Sequence, residues 1–476
     1  MRALMWFRSD LRVQDNAALH HACKAADKGA IAVFAICPKQ WASHDWGSMK
    51  VDFVLRSVSA LSAALAKLNI PLVLIRSEHF AQVPGKLLAL ARRYACDALY
   101  FNREYEVNEQ QRDREVTTWF REHHRDVHAF TDQVIVDVGR LRTGMGGYYT
   151  VFTPFKRKWC HVLKEEGLPS VSPRPRRQER IGIEPAAIPA TLRGFAGHLR
   201  QDLWPAGEQV AHKRLRTFVS RKIGDYHRAR DFPAGDGTSA LSPYLAVGVL
   251  SPRQCLRAAL EANNGKLDSG KQGVTTWISE LIWREFYRHV LIGFPRVCRG
   301  RPFKPATDSL PWRDDEEQFA AWCAGRTGFP IVDAGMRQLA QTGWMHNRLR
   351  MIVAMFLTKD LFIDWRWGER HFMRNLVDGD FASNNGGWQW SASTGTDAAP
   401  YFRMFNPLSQ GRRCDPDGSF IRRFVPELAG LPDSRVHRPD VQSLAATDYP
   451  PPIIDHGRAR KFVTQAFRRL RGRTSH

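Results

Sequence analysis

At 476 residues the chain is too long for one ordinary hydrophobic core, and a hydrophobic content of 43% is enough to fold two domains. Lys and Arg total 70 against 48 Asp and Glu, and the resulting net charge of +22 attracts polyanions, with nucleic acid the leading partner. The eight cysteines form no CxxC pair, no HExxH occurs, and no apolar run reaches membrane-spanning length; zinc-site, disulfide-framework and membrane-protein classes drop out, leaving a soluble intracellular chain.

Short apolar runs at 3–7, 31–36, 71–75, 98–101 and 127–130 alternate with helix-length segments such as 51–68 and 83–94. That alternation predicts a parallel α/β sheet with helices on both faces. The first run is followed by RSDLRVQDN, without a GxGxxG, and no Walker A loop occurs, so a dinucleotide is not expected in a Rossmann crevice. From about 131 to 205 the pattern decays into Gly-, Pro- and Arg-rich sequence, with TGMGG at 143–147 and SVSPRPRRQERIG at 170–182, which reads as a long connector. Beyond it helical periodicity dominates, notably at 273–292, 332–361 and 368–376, and predicts an all-α second half. The closing RARKFVTQAFRRLRGRTSH reads as a solvated basic helix with a frayed end.

Four stretches carry chemistry. In GDGTSALSPYLAVGVLS, residues 235–251, Gly237, Thr238, Ser239 and Ser242 precede a helical run from Pro243. Hydroxyls and free N–H groups at a helix start suit a diphosphate, while Ser before Pro equally suits an ordinary N-cap, and one helix start can serve both. In VTTWISELIWREFYRHVLI, residues 274–292, Trp277, Glu280, Arg284 and Tyr287 fall on a common helix side with Trp283 flanking it. A carboxylate between tryptophans and a plain Glu280–Arg284 pair at i, i+4 are both compatible with that spacing. In GWMHNRLRMIVAMFL, residues 343–357, Trp344, Asn347, Arg348 and Met351 are expected on one helix side, with Arg350 one turn on from Asn347, and two such faces suit a planar ligand. The densest stretch is 378–407, DGDFASNNGGWQWSASTGTDAAPYFRMFNP. Asp378 and Asp380 offer acceptors, Asn384 and Asn385 offer donors and acceptors, and Gly386-Gly387 admits a flat heteroaromatic ring close to the backbone. Trp388 and Trp390 add faces for stacking or for passing electrons, and the lack of Cys or His in the cluster argues against a metal.

These stretches, together with WFRSDLRVQDN, YEVNE, ELIWREFYRH, TGFPIVDAGMRQL, TGWMHNRLRM and TGTDAAPYFRMFNP, resemble the DNA photolyase and cryptochrome family from Trp6 to about Leu428. The likeness is greatest to bacterial class I cyclobutane pyrimidine dimer photolyases. It implies an α/β antenna domain at 1–131, a connector at 132–205 and a helical FAD- and DNA-binding domain at 206–476. The FAD contacts it implies are Tyr226, Thr238, Ser239, Leu241, Ser242, Trp277, Arg284, Trp344, Asn347, Arg350, Asp378, Asp380 and Asn384. Among them Arg350 would pair with Asp378, Asp380 would meet the ring's N–H edge, and Asn384 would face flavin N5, which suits a reduced anionic FAD.

By the same resemblance Glu280 would hydrogen-bond the dimer, Trp283 and Trp390 would wall it, and Asn347 with Met351 would complete its pocket. Arg230, Arg284, Arg348 and Gln410 would line the DNA-facing rim, and Trp388, Trp365 and Trp312 would relay electrons from flavin to surface, with Trp367 either a branch or a surface aromatic. His44, Asn108, Glu109, Cys298 and Arg299 resemble a site for a second chromophore, methenyltetrahydrofolate, with a deazaflavin as the alternative. The implied activity is light-driven repair of pyrimidine dimers by a cytoplasmic, nucleoid-associated monomer. The rivals are a blue-light-sensing cryptochrome, in which Asp or Cys commonly replaces Asn384, and a (6-4) photolyase, which usually places histidines at 347 and 351.

Overall fold

A computed structural model describes residues 1–473, with side chains through 470; the last residues of the basic tail, 474–476, lie outside the described residues. Five strands, β1 (Ala3–Phe7), β2 (Ala30–Ile36), β3 (Leu72–Arg76), β4 (Ala98–Asn102) and β5 (Asp126–Phe130), form one parallel sheet in the order β3-β2-β1-β4-β5. The chain starts at the centre of this sheet. Trp6 lies opposite Val33 of β2 and Phe101 of β4, so β1 is paired on both edges and wholly buried, which is why ALMWF is a continuous apolar run. Helices Ala17–Ala25, Ser48–Ala66, Val83–Arg93 and Val107–Glu122 make the crossovers, and the reversal of strand order at β1 sends earlier and later ones to opposite faces.

The RSDLRVQDN segment sits at that reversal and fills it with its own polar groups. Asp10 accepts from Asn102 Nδ2 at 2.6 Å, Arg8 pairs with Asp113 at 2.9 Å, and Asn16 caps the first helix through the Leu19 N–H. Burial, with Asp132 nearby, pushes the Asp10 carboxyl up to about 6. Asp15 is held by Arg253 Nε at 3.0 Å, and the same guanidinium reaches Asp132 at 2.7 Å. Residues of the second half of the chain thus complete the charge balance of the first strand's loop.

The chain packs as two compact units. The first comprises Met1–Gly224, Ser239–Pro295 and Val377–Asp380, and the second Asp225–Thr238, Arg296–Leu376 and Phe381 onward. The connector contains a helix, Phe152–Glu166, whose Phe155 and Trp159 are buried in the first unit. Its amphipathic pattern was masked by the Gly- and Pro-rich sequence on both sides.

After residue 206 the elements are helical, as the periodicity predicts, apart from an isolated bridge between Arg313 and Ile363. The 332–361 run is broken, however. Gly343, at φ +68°, ends the Pro330–Thr342 helix in a left-handed turn, and the next helix begins only at Asn347, capped by His346 accepting from the Arg348 N–H. Trp344 therefore lies in the turn rather than on the helix face expected for it. The closing helix His456–Arg473 is not simply solvated either, because its Val463 and Phe467 are buried with Leu310 and Phe362.

Candidate functional site

In the first unit the Gln272–Gly293 helix carries Trp277, Glu280, Trp283 and Arg284 as the spacing predicts. Trp277 is buried against Phe218 at 5.1 Å. Trp283 stacks face to face on Phe152, 3.7 Å apart with planes 4° apart, which fixes the indole plane. Arg284 donates to the carbonyls of Gln133 at 2.5 Å and Leu245 at 3.3 Å. Burial, with Arg288 one turn on, pulls its pKa down to about 10.

The 377–380 segment belongs to this unit and is anchored twice. Arg288 pairs with Asp380, and Lys50 donates to the Gly379 carbonyl at 2.6 Å while lying 3.7 Å over the Trp46 ring. Burial lowers the Lys50 pKa to about 8, against the opposing pull of Asp380 and three glutamates. Asp378 is itself buried.

Leu241, also buried, occupies the N-cap position of the next helix, Ser242–Ala246, without a capping side chain, which puts Ser242 at the first helical position and Pro243 at the second. The helix is only five residues long, and Ala240 just before it sits at φ +46°. A phosphate there would rely on the Ser239 and Ser242 hydroxyls rather than on a helix dipole.

In the second unit Tyr226 is buried with Arg230 5.4 Å from its ring, and Thr238 is half-buried. Asn347 is exposed with its amide 4.0 Å from the Met351 sulfur, Arg348 pairs with Asp231, and Arg350 donates to the Met345 carbonyl at 2.8 Å. Arg348 and Gln410 line a cavity of about 390 Å³ together with Arg228, Phe232 and Arg413. These last three escaped sequence reasoning, although HRARDF and QGRRC show basic residues around an aromatic.

Within the second unit, Asn384 is the residue whose geometry bears most on a flat ligand. Its Nδ2 donates to the Glu369 carbonyl at 3.0 Å, which orients the amide and leaves Oδ1 without a partner among the described residues. One turn on, nothing lies within 4 Å of where a Cβ of Gly387 would stand. An open acceptor on a buried residue, beside open space, fits the N–H edge of a flavin. Asn385 is occupied elsewhere, bonding Glu369 Oε1 at 2.7 Å and Gln389 at 3.0 Å, and Gln389 in turn holds the Phe303 N–H at 2.7 Å. Trp388 and Trp365 are buried in one hydrophobic core, Trp312 and Trp367 are partly buried against it, and Trp390 is half-buried. Trp388 reaches the Trp365–Asn375 helix because residue 368 is glycine; a Cβ there would lie 2.1 Å from its ring.

The expected second-chromophore residues His44, Asn108 and Glu109 meet in the first unit. His44 Nε2 lies 2.9 Å from the side-chain amides of both Asn108 and Gln40, and its Nδ1 lies 3.4 Å from Glu109. Burial, with Lys50 and Arg112 nearby, lowers the His44 pKa to about 4 and keeps the ring neutral, and the two amide donors facing Nε2 suit the tautomer with its hydrogen on Nδ1. Burial and the charges of Glu106 and Glu104 raise Glu109. Gln40 was not foreseen, though its i, i+4 spacing to His44 was readable. Cys298 and Arg299 belong to the second unit, half-buried and exposed respectively.

Family models described as DNA photolyase and as the FAD binding domain of DNA photolyase match residues 3–175 and 277–469. The chain is 44% identical to the deoxyribodipyrimidine photo-lyase of Vibrio cholerae, over 98% of this chain and all of that one. The chain belongs to the DNA photolyase family. The Escherichia coli deoxyribodipyrimidine photo-lyase is likewise 44% identical, over 98% of each chain. Solved photolyase-family structures superpose over nearly their whole length. A bacterial class III photolyase from Agrobacterium tumefaciens gives a TM-score of 0.88 at 35% identity, covering 99% of this chain and 98% of that one. A Synechocystis cryptochrome gives 0.87 at 27% identity, with 98% and 99% covered. An archaeal photolyase from Sulfolobus tokodaii, solved with two FAD molecules, gives 0.80 at 30% identity, with 98% and 100% covered. This photolyase carries the FAD-binding domain of its family, and no helix among the described residues is long and apolar enough to cross a membrane.

Proposed function

We propose that this photolyase repairs cyclobutane pyrimidine dimers in DNA under blue light. The observation that carries the reading is the oriented amide of Asn384, whose open Oδ1 can accept from a protonated flavin N5 and so favours the reduced cofactor. Reduced FAD held by these residues would supply light-driven one-electron donation to the dimer, a chemistry with no net redox change.

The chain's own residues bind, orient and exclude water. Thr238, Ser239 and Ser242 serve the diphosphate; Tyr226, Leu241, Trp277 and Trp344 pack the cofactor; Arg284, Asn347, Arg350, Asp378 and Asp380 hold its polar edges. Glu280 is the hydrogen-bond partner of the pyrimidine edge of the extruded lesion, Trp283 and Trp390 are its apolar walls, and Asn347 with Met351 completes the pocket. A fused dimer stacks poorly, so extruding it costs less than extruding normal bases. Arg230, Arg284, Arg348 and Gln410 hold phosphates without regard to sequence. Trp388, Trp365 and Trp312 return an oxidised cofactor to its reduced state by passing electrons inward from the surface.

His44, Asn108 and Glu109, with Cys298 and Arg299, take methenyltetrahydrofolate as light-harvesting chromophore. A deazaflavin is the alternative, and the Sulfolobus relative solved with two FAD molecules adds a second flavin to the candidates. The three zones 1–131, 132–205 and 206–476 act as antenna domain, connector and repair domain of a monomer.

The test is to purify the protein, record its absorption spectrum, and follow thymine-dimer loss in DNA under blue light and in darkness. Loss confined to illuminated samples supports the reading, and equal loss in darkness overturns it. Conversion of (6-4) lesions alone moves the assignment to a (6-4) photolyase, and no conversion of either lesion moves it to a cryptochrome.

A further inference from the structure

Lys50 occupies a place that is unfavourable for a cation. It stands third in the Ser48–Ala66 helix, where the positive end of the helix dipole repels it, the first turn carries no acid, and only 6% of the residue is exposed. Its ammonium is held by the Gly379 carbonyl at 2.6 Å and by the face of Trp46 at 3.7 Å, an indole braced in turn by stacking on buried Trp41, 5.0 Å away and 15° from parallel. A buried charge that an apolar side chain of the same length could replace adds little to stability, so its use is to be sought in what it holds.

We propose that Lys50 is a positioning residue for the flavin: it pins the backbone next to Asp380 and adds a positive charge near that carboxylate, so that the site favours the cofactor in its reduced, negatively charged form. The proposal rests on the reading of Asp380 as partner of the ring's N–H edge. One planar peptide joins the Gly379 carbonyl to the Asp380 N–H, so fixing the carbonyl fixes the plane from which Asp380 hangs. Arg288 pairs with the carboxylate itself, and backbone and side chain of Asp380 are thereby each tied to a cation.

Three cations share the field of Asp380: Arg284, Arg288 and Lys50. Only Lys50 gives up its charge close to neutrality, because burial brings it from 10.5 down to about 8, whereas Arg284 stays at about 10. The other charged groups facing Lys50 are Glu104, Glu106 and Glu109, which favour its protonated form, while His44, at about 4, is neutral over this range. As pH rises through about 8 the ammonium loses its proton, and its attraction for a negative ring goes with it. Glu109 is pushed up to about 8 by burial and by Glu106 and Glu104, so its titration must be told apart from that of Lys50.

The experiment uses the full chain loaded with FAD and reads the flavin midpoint potential by spectroelectrochemical titration between about pH 6 and about pH 10, with melting followed by circular dichroism as the check on folding. Near pH 6, Lys50→Met, which fills a similar volume without charge, should lose the preference for the reduced form roughly tenfold, about 30 mV for a two-electron couple. The gap to the parent should close above about pH 8. Equal potentials near pH 6 overturn the proposal, as does a gap unchanged near pH 10 or an inflection near pH 8 that survives in Lys50→Met and so belongs to Glu109. Trp46→Leu keeps the amine and tests it even where Lys50→Met fails to fold. Loss of the indole face disfavours the charged amine, so the inflection of the parent should move to lower pH, and an unmoved inflection overturns the proposal. Asp380→Asn separates this proposal from the reading beneath it. A shifted potential there with none in Lys50→Met removes only the role of Lys50, whereas no shift in either variant takes Asp380 away from the flavin.

Discussion

Gly368 lies within the Trp365–Asn375 helix, where exchanging glycine for alanine at an open position would gain about 1 kcal/mol of helix propensity. Here the added Cβ would stand 2.1 and 2.4 Å from two ring carbons of Trp388 and 2.7 Å from a Leu357 methyl. Neither neighbour has room to yield. Trp388 is held edge-on by Phe372 at 5.0 Å and Trp322 at 6.0 Å, and Leu357 is fully buried. Overpacking of this kind costs about 1–3 kcal/mol, sometimes more, which outweighs the propensity gain and reverses the usual sign of the substitution. Gly368→Ala should therefore lower the urea midpoint followed by circular dichroism, and should slow flavin photoreduction because Trp388 is displaced. An alanine variant as stable as the parent, with photoreduction unchanged, would show that Trp388 does not rest on this helix.

Other outcomes are equally specific. The Lys359 ammonium is fully buried, donating to the Ala392 carbonyl at 3.2 Å and Ser393 Oγ at 2.8 Å, and burial lowers its pKa to about 7 from 10.5. Its contribution to stability is fully present above about pH 10.5 and is lost as pH falls through about 7; Lys359→Met should therefore raise the melting midpoint near pH 6 and lose that advantage near pH 10, and an equal effect at both values refutes a titrating buried amine. Arg348→Ala and Arg413→Ala should each weaken DNA binding uniformly across sequences and lower the slope of log affinity against log salt by about one, measured by fluorescence anisotropy. Unchanged slopes would take the cavity they line off the DNA path. Glu280→Ala should reduce dimer repair more than flavin retention, and prompt flavin loss on gel filtration would assign Glu280 to the cofactor instead.

The strands were legible because each is a short apolar run bounded by turn residues, and the central ones are buried on both faces, so the run needs no alternation to be recognised. The Phe152–Glu166 helix was not, because its flanks carry the strongest loop signals in the chain. The break at 343–346 had its signal in the sequence, a glycine at a helix end followed by a capping residue, but apolar periodicity continues across it and masks the turn. Among the candidate site residues, helical spacing correctly put Trp277, Glu280 and Trp283 on one helix, and the motif at 378–407 singled out Asn384 as a candidate. What sequence could not supply were partners brought in by folding: Phe152 under Trp283, Arg288 on Asp380, Lys50 on Gly379. None of these pairings is marked by a sequence motif.

The charge network at the centre of the sheet bears on how such a chain is made. Asp15 leaves the ribosome early, yet the arginine that neutralises it, Arg253, is translated only after the whole sheet has emerged, and the carbonyl that receives Lys50 comes later still, at Gly379. The nascent N-terminal portion must therefore wait, incompletely folded, for distant stretches of the same polypeptide. A premature stop codon anywhere before residue 380 would strand that portion in its unfinished form, so quality-control proteases should treat even long truncations as damaged rather than as a spare domain.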